Sequence, residues 1–425
     1  MCAFHIIDLR AMQILDSRGR PTLSVTLTLA GGATGWAGVP SGASTGAKEA
    51  AELRDGDTSR YGGAGVTRAA ARITGSIFHL LKGRPWHSLA DVDHALIELD
   101  GTPDKSRLGG NAIVGVSMAT ARAVAAAHGQ QLWEFLTPNT VRPRLPVPHF
   151  NLISGGLHAS NRLDFQDFMI APIGAPSMAE AVRAGAEIYA VMCRNLAAAG
   201  RPTGQGDEGG FAPDFTHPRE VLAALVTAID DAGYVPARDQ VAIALDPAAS
   251  RFRRSDGTYH VAGERLSSLE MIELYADLAG DYPIWSIEDG LGEDDTDGWR
   301  QLTDRLGERL QLVGDDVFVT NPAIIKQGIA GQIGNAALIK VNQVGTVTET
   351  LQAMELCRKH GYALMVSHRS GETVDDFIAE LSVASGCGQI KSGAPARGER
   401  VIKYNRLLHI ASQRPDLPYG LADRS

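Results

Sequence analysis

In the second half of this 425-residue chain, six short apolar runs each end on a residue able to do chemistry. They are Val-Ala-Ile-Ala-Leu-Asp246, Ile-Trp-Ser-Ile-Glu288, Leu-Val-Gly-Asp315, Ala-Leu-Ile-Lys340, Leu-Met-Val-Ser-His368 and Gln-Ile-Lys391. One charged residue after an apolar run is ordinarily a solvated loop residue. Six in the order acid, acid, acid, Lys, His, Lys, with the signs segregated, form a constellation. Three carboxylates from neighbouring strands make a hard oxygen cage suited to Mg²⁺, with water or substrate completing an octahedron. No cysteine lies near them, and the nearest histidine comes two runs later, which disfavours Zn²⁺. Lys340 suits a general base if desolvation and nearby cations lower its pKa; otherwise it is a structural ion pair with a cage acid. Arg369, beside His368, adds a guanidinium suited to bidentate phosphate recognition. Cage, base and anion clamp together fit proton removal next to a carboxylate.

Other motifs carry weaker signals. Gly204-Gln-Gly206-Asp-Glu-Gly209 has dinucleotide-loop spacing, but it follows a helical stretch and leads into Pro213, the wrong context for a phosphate loop. Its carboxylates Asp207 and Glu208 read better as an acid delivered into the site on a Gly-rich segment, or as an exposed acidic turn. Val39-Pro-Ser-Gly-Ala-Ser-Thr-Gly46 is a small-residue loop. It reads either as a surface turn with an N-cap at Thr45, or as a lid bringing an oxygen ligand to a second metal. His158, in Gly155-Gly-Leu-His158, and the segment Phe165-Gln-Asp-Phe168 fall in the entry region of the second half.

The elements that must hold these residues follow from periodicity. Leu23, Val25, Leu27 and Leu29 alternate with polar residues, predicting a strand with one buried face; Gly31-Gly32 turns it back into a partner over Gly35–Val39. Helices are expected over Val66–Leu81, Leu89–Leu99 and Ala112–His128, the last capped by Asn111 and stopped by Gly129. Pro138, Pro143, Pro146 and Pro148 mark a boundary, giving residues 1–136 as an α+β domain, 137–148 as a linker and 149–425 as a second domain. Beyond it, capping boxes open at Ser177, Ser267 and Thr346. The six strand ends are separated by 42, 27, 25, 28 and 23 residues. After the first interval that is about one βα unit each, so an α/β barrel is expected rather than an open sheet.

Forty basic against forty-nine acidic residues give a formal charge of −9, which argues against a nucleic-acid partner. No apolar run approaches membrane-spanning length, and the N-terminus lacks the apolar core of a secretion signal. Four scattered cysteines without metal-type spacing fit a reducing cytoplasm. Eight lysines stand against thirty-two arginines, yet Lys340 and Lys391 both fall at strand ends.

Taken in order, these segments resemble the enolase family across nearly the whole chain. The matching stretches are Asp16-Ser-Arg-Gly, Val39–Gly46, Glu52-Leu-Arg-Asp-Gly-Asp57 and Gly206-Asp-Glu-Gly-Gly-Phe-Ala-Pro213. Further on come Ser286-Ile-Glu-Asp289, Gly314-Asp-Asp316, Lys340-Val-Asn-Gln343, Ser367–Thr373 and Gln389-Ile-Lys391. The resemblance implies an N-terminal α+β capping domain before a (β/α)8 barrel whose first units are not simple repeats. It implies two Mg²⁺ per site, with Asp246, Glu288 and Asp315 on the first and Ser41 of the lid on the second. Lys340 matches the base and Glu208 the acid assisting loss of hydroxyl. Lys391 matches a carboxylate-side cation, Arg369 and Ser370 match phosphate contacts, and His158 and His368 match further site residues. It also implies a small phosphorylated acid as substrate and a homodimer or larger homo-oligomer.

The chain departs from the family pattern at several points. Asp167 stands where the family usually carries Glu, Gly290 where it carries Pro, and Leu157, Ser160 and Pro247 are unusual. Two activities are therefore expected. One is reversible dehydration of 2-phosphoglycerate to phosphoenolpyruvate. The other is a specialised-metabolism variant, such as the carboxyphosphonoenolpyruvate synthase of phosphinothricin-type pathways.

Overall fold

The computed structural model describes residues 3–43 and 46–421. Strands β1 (Ile6–Leu15), β2 (Pro21–Leu29) and β3 (Thr34–Gly38) form an antiparallel sheet in that order. Leu23, Val25, Leu27 and Leu29 are all buried, as their alternation requires. They face the helix Gly110–Ala127, which approaches so closely that a Cβ on Gly35 would lie 2.0 Å from the Ala119 carbonyl oxygen. That helix is capped by Gly109 rather than Asn111, whose Oδ1 instead accepts the Leu53 N–H. The helix expected over Val66–Leu81 is interrupted by a π-helical turn at Ile73–Ile77. Thr45 lies outside the described residues.

The second sheet is a closed barrel. Its strands are β4 (Val147–Ser154), β5 (Asp167–Pro172) and β6 (Val241–Asp246); then, after a small hairpin of β7 (Tyr259–Val261) and β8 (Glu264–Leu266), β9 (Ile284–Glu288), β10 (Gln311–Gly314), β11 (Ala336–Ile339), β12 (Ala363–Ser367) and β13 (Gln389–Lys391). The first two residues of β4 fall within the stretch expected as linker. β13 pairs with β4 to close the ring, and every barrel pairing is parallel except those of β5, which runs against both neighbours. Reversal brings the first residue of β5, Asp167, opposite the last residue of β6, Asp246. Ser177, Ser267 and Thr346 each accept the N–H of the glutamate three residues on, and Ser267 completes the reciprocal half of the box at 2.7 Å.

The small domain is fastened over the rim at the carboxyl ends of the parallel strands. Arg122 grips Asp375 with two 2.8 Å bonds, and Ser41 and Gly371 exchange backbone hydrogen bonds at 2.8 and 2.9 Å. Among the described residues, no helix is long and apolar enough to cross a membrane.

Candidate active site

Asp246, Glu288 and Lys391 are the last residues of their strands, and Asp315, Lys340 and His368 follow theirs by one. In a barrel the carboxyl ends of parallel strands converge on one face, so these six residues meet there. All six are buried. Lys391 Nζ lies 2.6 Å from Asp246, 3.0 Å from Glu288 and 3.7 Å from Asp167. Lys340 Nζ lies 2.5 Å from Asp315, whose other oxygen accepts from Gln343 at 2.9 Å. Burial works against charge on both lysines, but the carboxylates around them hold their pKa values above the ordinary range.

Glu288 is not satisfied by this pairing. Its Oε2 is buried without a hydrogen-bond partner. Burial, then the neighbouring Asp246 and Asp315 charges, drive its pKa well above the usual carboxylate range. A hard-oxygen donor set with repelling charges and an orphaned oxygen fits an oxygen-preferring divalent cation. Beside it, Asp289, Asp315 and Asp316 bring carboxylate oxygens within 4.8 Å of one another. Asp289 also accepts the backbone N–H groups of Asp315 and Asp316 at 2.8 and 2.9 Å, fixing the turn that aims Asp315. Sequence reading missed Asp289 as a positioning residue, although it lies within the Ser286–Asp289 segment.

The opposite wall is an array of acids and imidazoles. His158 Nδ1 lies 3.1 Å from Asp167 Oδ1, and its Nε2 lies 3.5 Å from Glu208 Oε1; His368 Nε2 lies 3.0 Å from Glu208 Oε2. Asn151 also bonds Asp167. Burial opposes protonation of His158, but Glu208 and Asp167 overcome it and raise its pKa to about 9. Burial would raise Glu208, yet His158 and then His368 hold it well below the ordinary carboxylate range. His368 goes the other way, down to about 3: burial and the Arg400 guanidinium outweigh the pull of Glu208. The Gly-rich segment that carries Glu208 is tethered here by backbone bonds from Asp207 to His158 (3.0 Å) and from Ala394 to Glu208 (2.9 Å).

The remaining expected residues are engaged with the small domain. Arg369 is held by Glu49 at 2.9 and 3.2 Å and by Asn342 at 3.0 Å. Ser370 Oγ accepts from the Ala43 N–H at 2.6 Å and from Arg18 at 3.2 Å. The Ser41 hydroxyl bonds Glu52 and Arg54, at 3.2 and 2.9 Å, not the cage acids. Glu49 and Arg400 were both missed. Glu49 follows the lid by three residues, a proximity that could have flagged it. Arg400 lies nine residues past the last strand end and carries no local signal.

An α/β barrel with buried acids and lysines at its carboxyl rim, roofed by a smaller domain, defines a barrel enzyme. Residues 6–136 match the family description "Enolase, N-terminal domain" and residues 142–417 match "Enolase, C-terminal TIM barrel domain". A protein named "Enolase" from Rubrobacter xylanophilus is 53% identical over 408 residues, covering 96% of this chain and 94% of that relative. The chain belongs to the enolase family.

Proposed function

We propose that the protein catalyses the Mg²⁺-dependent, reversible dehydration of 2-phosphoglycerate to phosphoenolpyruvate. The observation that carries this reading is Lys340, buried on the strand after the three cage acids and across from the Glu208 array. Asp246, Glu288 and Asp315 would hold one Mg²⁺; a second would need the Ser41 hydroxyl to leave Glu52 and Arg54. Bound Mg²⁺ supplies positive charge beside the substrate carboxylate. Lys340, once its ammonium is no longer held by Asp315 and has released a proton to solvent, takes the proton alpha to that carboxylate at Nζ. Glu208 lies beside the departing hydroxyl and, being held ionised, draws the proton it passes on from His158. Lys391 balances the substrate carboxylate, and Arg369 and Ser370 receive the phosphate. The same reading carries a cytoplasmic setting and a homodimer or larger assembly. In support of the latter, β1 is a sheet-edge strand exposing Ile7, Met12 and Leu15.

A second reading, a phosphonate-pathway relative acting on a different acid, is favoured by Asp167. Its Oδ1 reaches His158, but its Oδ2 is buried without a hydrogen bond. One experiment separates the two: ultraviolet detection of phosphoenolpyruvate formed from 2-phosphoglycerate, with and without Mg²⁺, by the native chain and by Asp167→Glu. Robust metal-dependent turnover by the native chain supports the first reading. Negligible native turnover that Asp167→Glu partly restores overturns it in favour of the second.

A further inference from the structure

We propose that Arg400 is a positioning residue that fixes His368 in its Nε2–H tautomer, so that a neutral imidazole keeps its protonated nitrogen on the side of the ring nearest Glu208. Arg400 is the third residue of the helix Gly398–Gln413 and is completely buried. Its Nη1 lies 2.5 Å from His368 Nδ1. A guanidinium carries only donors and keeps its charge in a protein. His368 Nδ1 must therefore offer its lone pair, which leaves the ring's single proton on Nε2. That nitrogen lies 3.0 Å from Glu208 Oε2, the two buried atoms being close without a formed hydrogen bond.

The same guanidinium ties the two segments that carry the array. It donates to the carbonyls of Arg369 (2.6 Å), Ser370 (2.5 Å) and Asp207 (3.1 Å). Arg400 thus holds both the residue after His368 and the residue before Glu208. The charged groups facing His368 are Glu208, Arg400 and Lys391. Of these only Glu208 favours an imidazolium, and its other oxygen is already turned to His158. Without Arg400, Nδ1 is open to protonation and Glu208 pulls His368 toward the charged form. Two imidazolium rings would then flank Glu208, where the native array has one. A carboxylate so held is a poorer carrier for the proton that the leaving hydroxyl needs, which is where this inference rests on the proposed dehydration.

The test uses the full-length protein with Mg²⁺, as wild type, Arg400→Met and Arg400→Lys. Histidine-selective ¹⁵N labelling, with the His368 signals identified by difference from His368→Asn, reads the tautomer between pH 5 and 9. Turnover of 2-phosphoglycerate is followed over the same range. In wild type, Nδ1 is expected to stay unprotonated throughout. In Arg400→Met, His368 is expected to gain a second proton within the range. Below that midpoint kcat is expected to fall by about tenfold or more while KM moves far less. Arg400→Lys, which keeps a charged donor, restores part of both. If Arg400→Met fails to fold, the ring signals and pH profile of Arg400→Lys are compared with wild type alone. An Nδ1–H signal in wild type overturns the inference. So does an Arg400 variant whose loss of kcat is equal at every pH while His368 stays neutral. Absence of turnover by wild type would overturn the proposed reaction, while the ring signals would still decide the role of Arg400.

Discussion

The Lys340 ammonium lies 2.5 Å from Asp315 Oδ2, so the residue proposed as the base is held charged by a residue proposed to hold metal, and it becomes a base only when that carboxylate turns away. Base and cage are one electrostatic unit. Lys340→Ala is expected to lower turnover of 2-phosphoglycerate by about 10²- to 10⁴-fold, the usual contribution of a positioned base. Lys340→Arg is expected not to restore it, because a guanidinium does not give up its proton near neutrality. Steady-state rates at saturating Mg²⁺ check both.

Glu288 enters the cage with an orphaned oxygen and two repelling neighbours. Glu288→Gln removes one charge from the donor set and is expected to weaken Mg²⁺ binding by on the order of tenfold or more. Because a ligand that binds only the folded chain stabilises it by mass action, chelation is expected to lower the thermal midpoint of wild type. The same chelation should leave Glu288→Gln nearly unmoved. Calorimetric titration with Mg²⁺ and thermal melts with and without chelator measure the two effects.

Asp93 offers a pH effect remote from the site. It is fully buried, and its Oδ2 accepts from the Thr348 N–H at 3.0 Å and the Thr348 hydroxyl at 2.6 Å. Burial dominates and raises its pKa to about 6 from the ordinary 3.8. The folded chain therefore holds this proton more tightly than the unfolded chain. The resulting stability is fully present below about pH 4, is lost as pH rises to 6, and is absent above. A raised pKa of this size corresponds to about 3 kcal/mol. Asp93→Asn keeps an acceptor and no charge. Its stability relative to wild type is expected to climb between pH 4 and 7, as read by urea unfolding at several pH values.

Gly35 is set by backbone approach. Its absent Cβ would meet the Ala119 carbonyl oxygen at 2.0 Å and the Ala123 nitrogen at 2.6 Å, atoms of a helix backbone that cannot swing aside. Gly35→Ala is expected to cost about 1–3 kcal/mol as an overpacked contact. A lowered urea midpoint measures it.

Much of this architecture is written in local pattern. The alternation at Leu23–Leu29 marks β2, and the charged ends of six apolar runs mark strands β6 and β9–β13 together with the face they share. What periodicity does not carry is direction. Asp167 reaches the rim because β5 is reversed, and only the pairing of β5 with β4 and β6 reveals that. Nor does local pattern show which distant charges meet. Glu49 reaches Arg369 across 320 positions and Arg400 reaches His368 across 32, both fixed by tertiary packing. The π-helical turn at Ile73–Ile77 likewise leaves the apolar spacing nearly helical, so periodicity reads one continuous helix there.

The reversed strand also divides the site by the order in which its parts can be assembled. β4 and β5 are neighbours in sequence, joined by residues 155–166, and their antiparallel pairing needs no crossover helix. That connection carries His158, and Asp167 opens the strand after it. The cage is different: Asp246, Glu288 and Asp315 arrive at the ends of β6, β9 and β10, and the cation that balances the first two, Lys391, bonds them across 145 and 103 positions. Contacts between near neighbours form sooner than those that must wait for a long loop to close. A nascent chain can thus have its imidazole–carboxylate hairpin in place while the place for a cation does not yet exist.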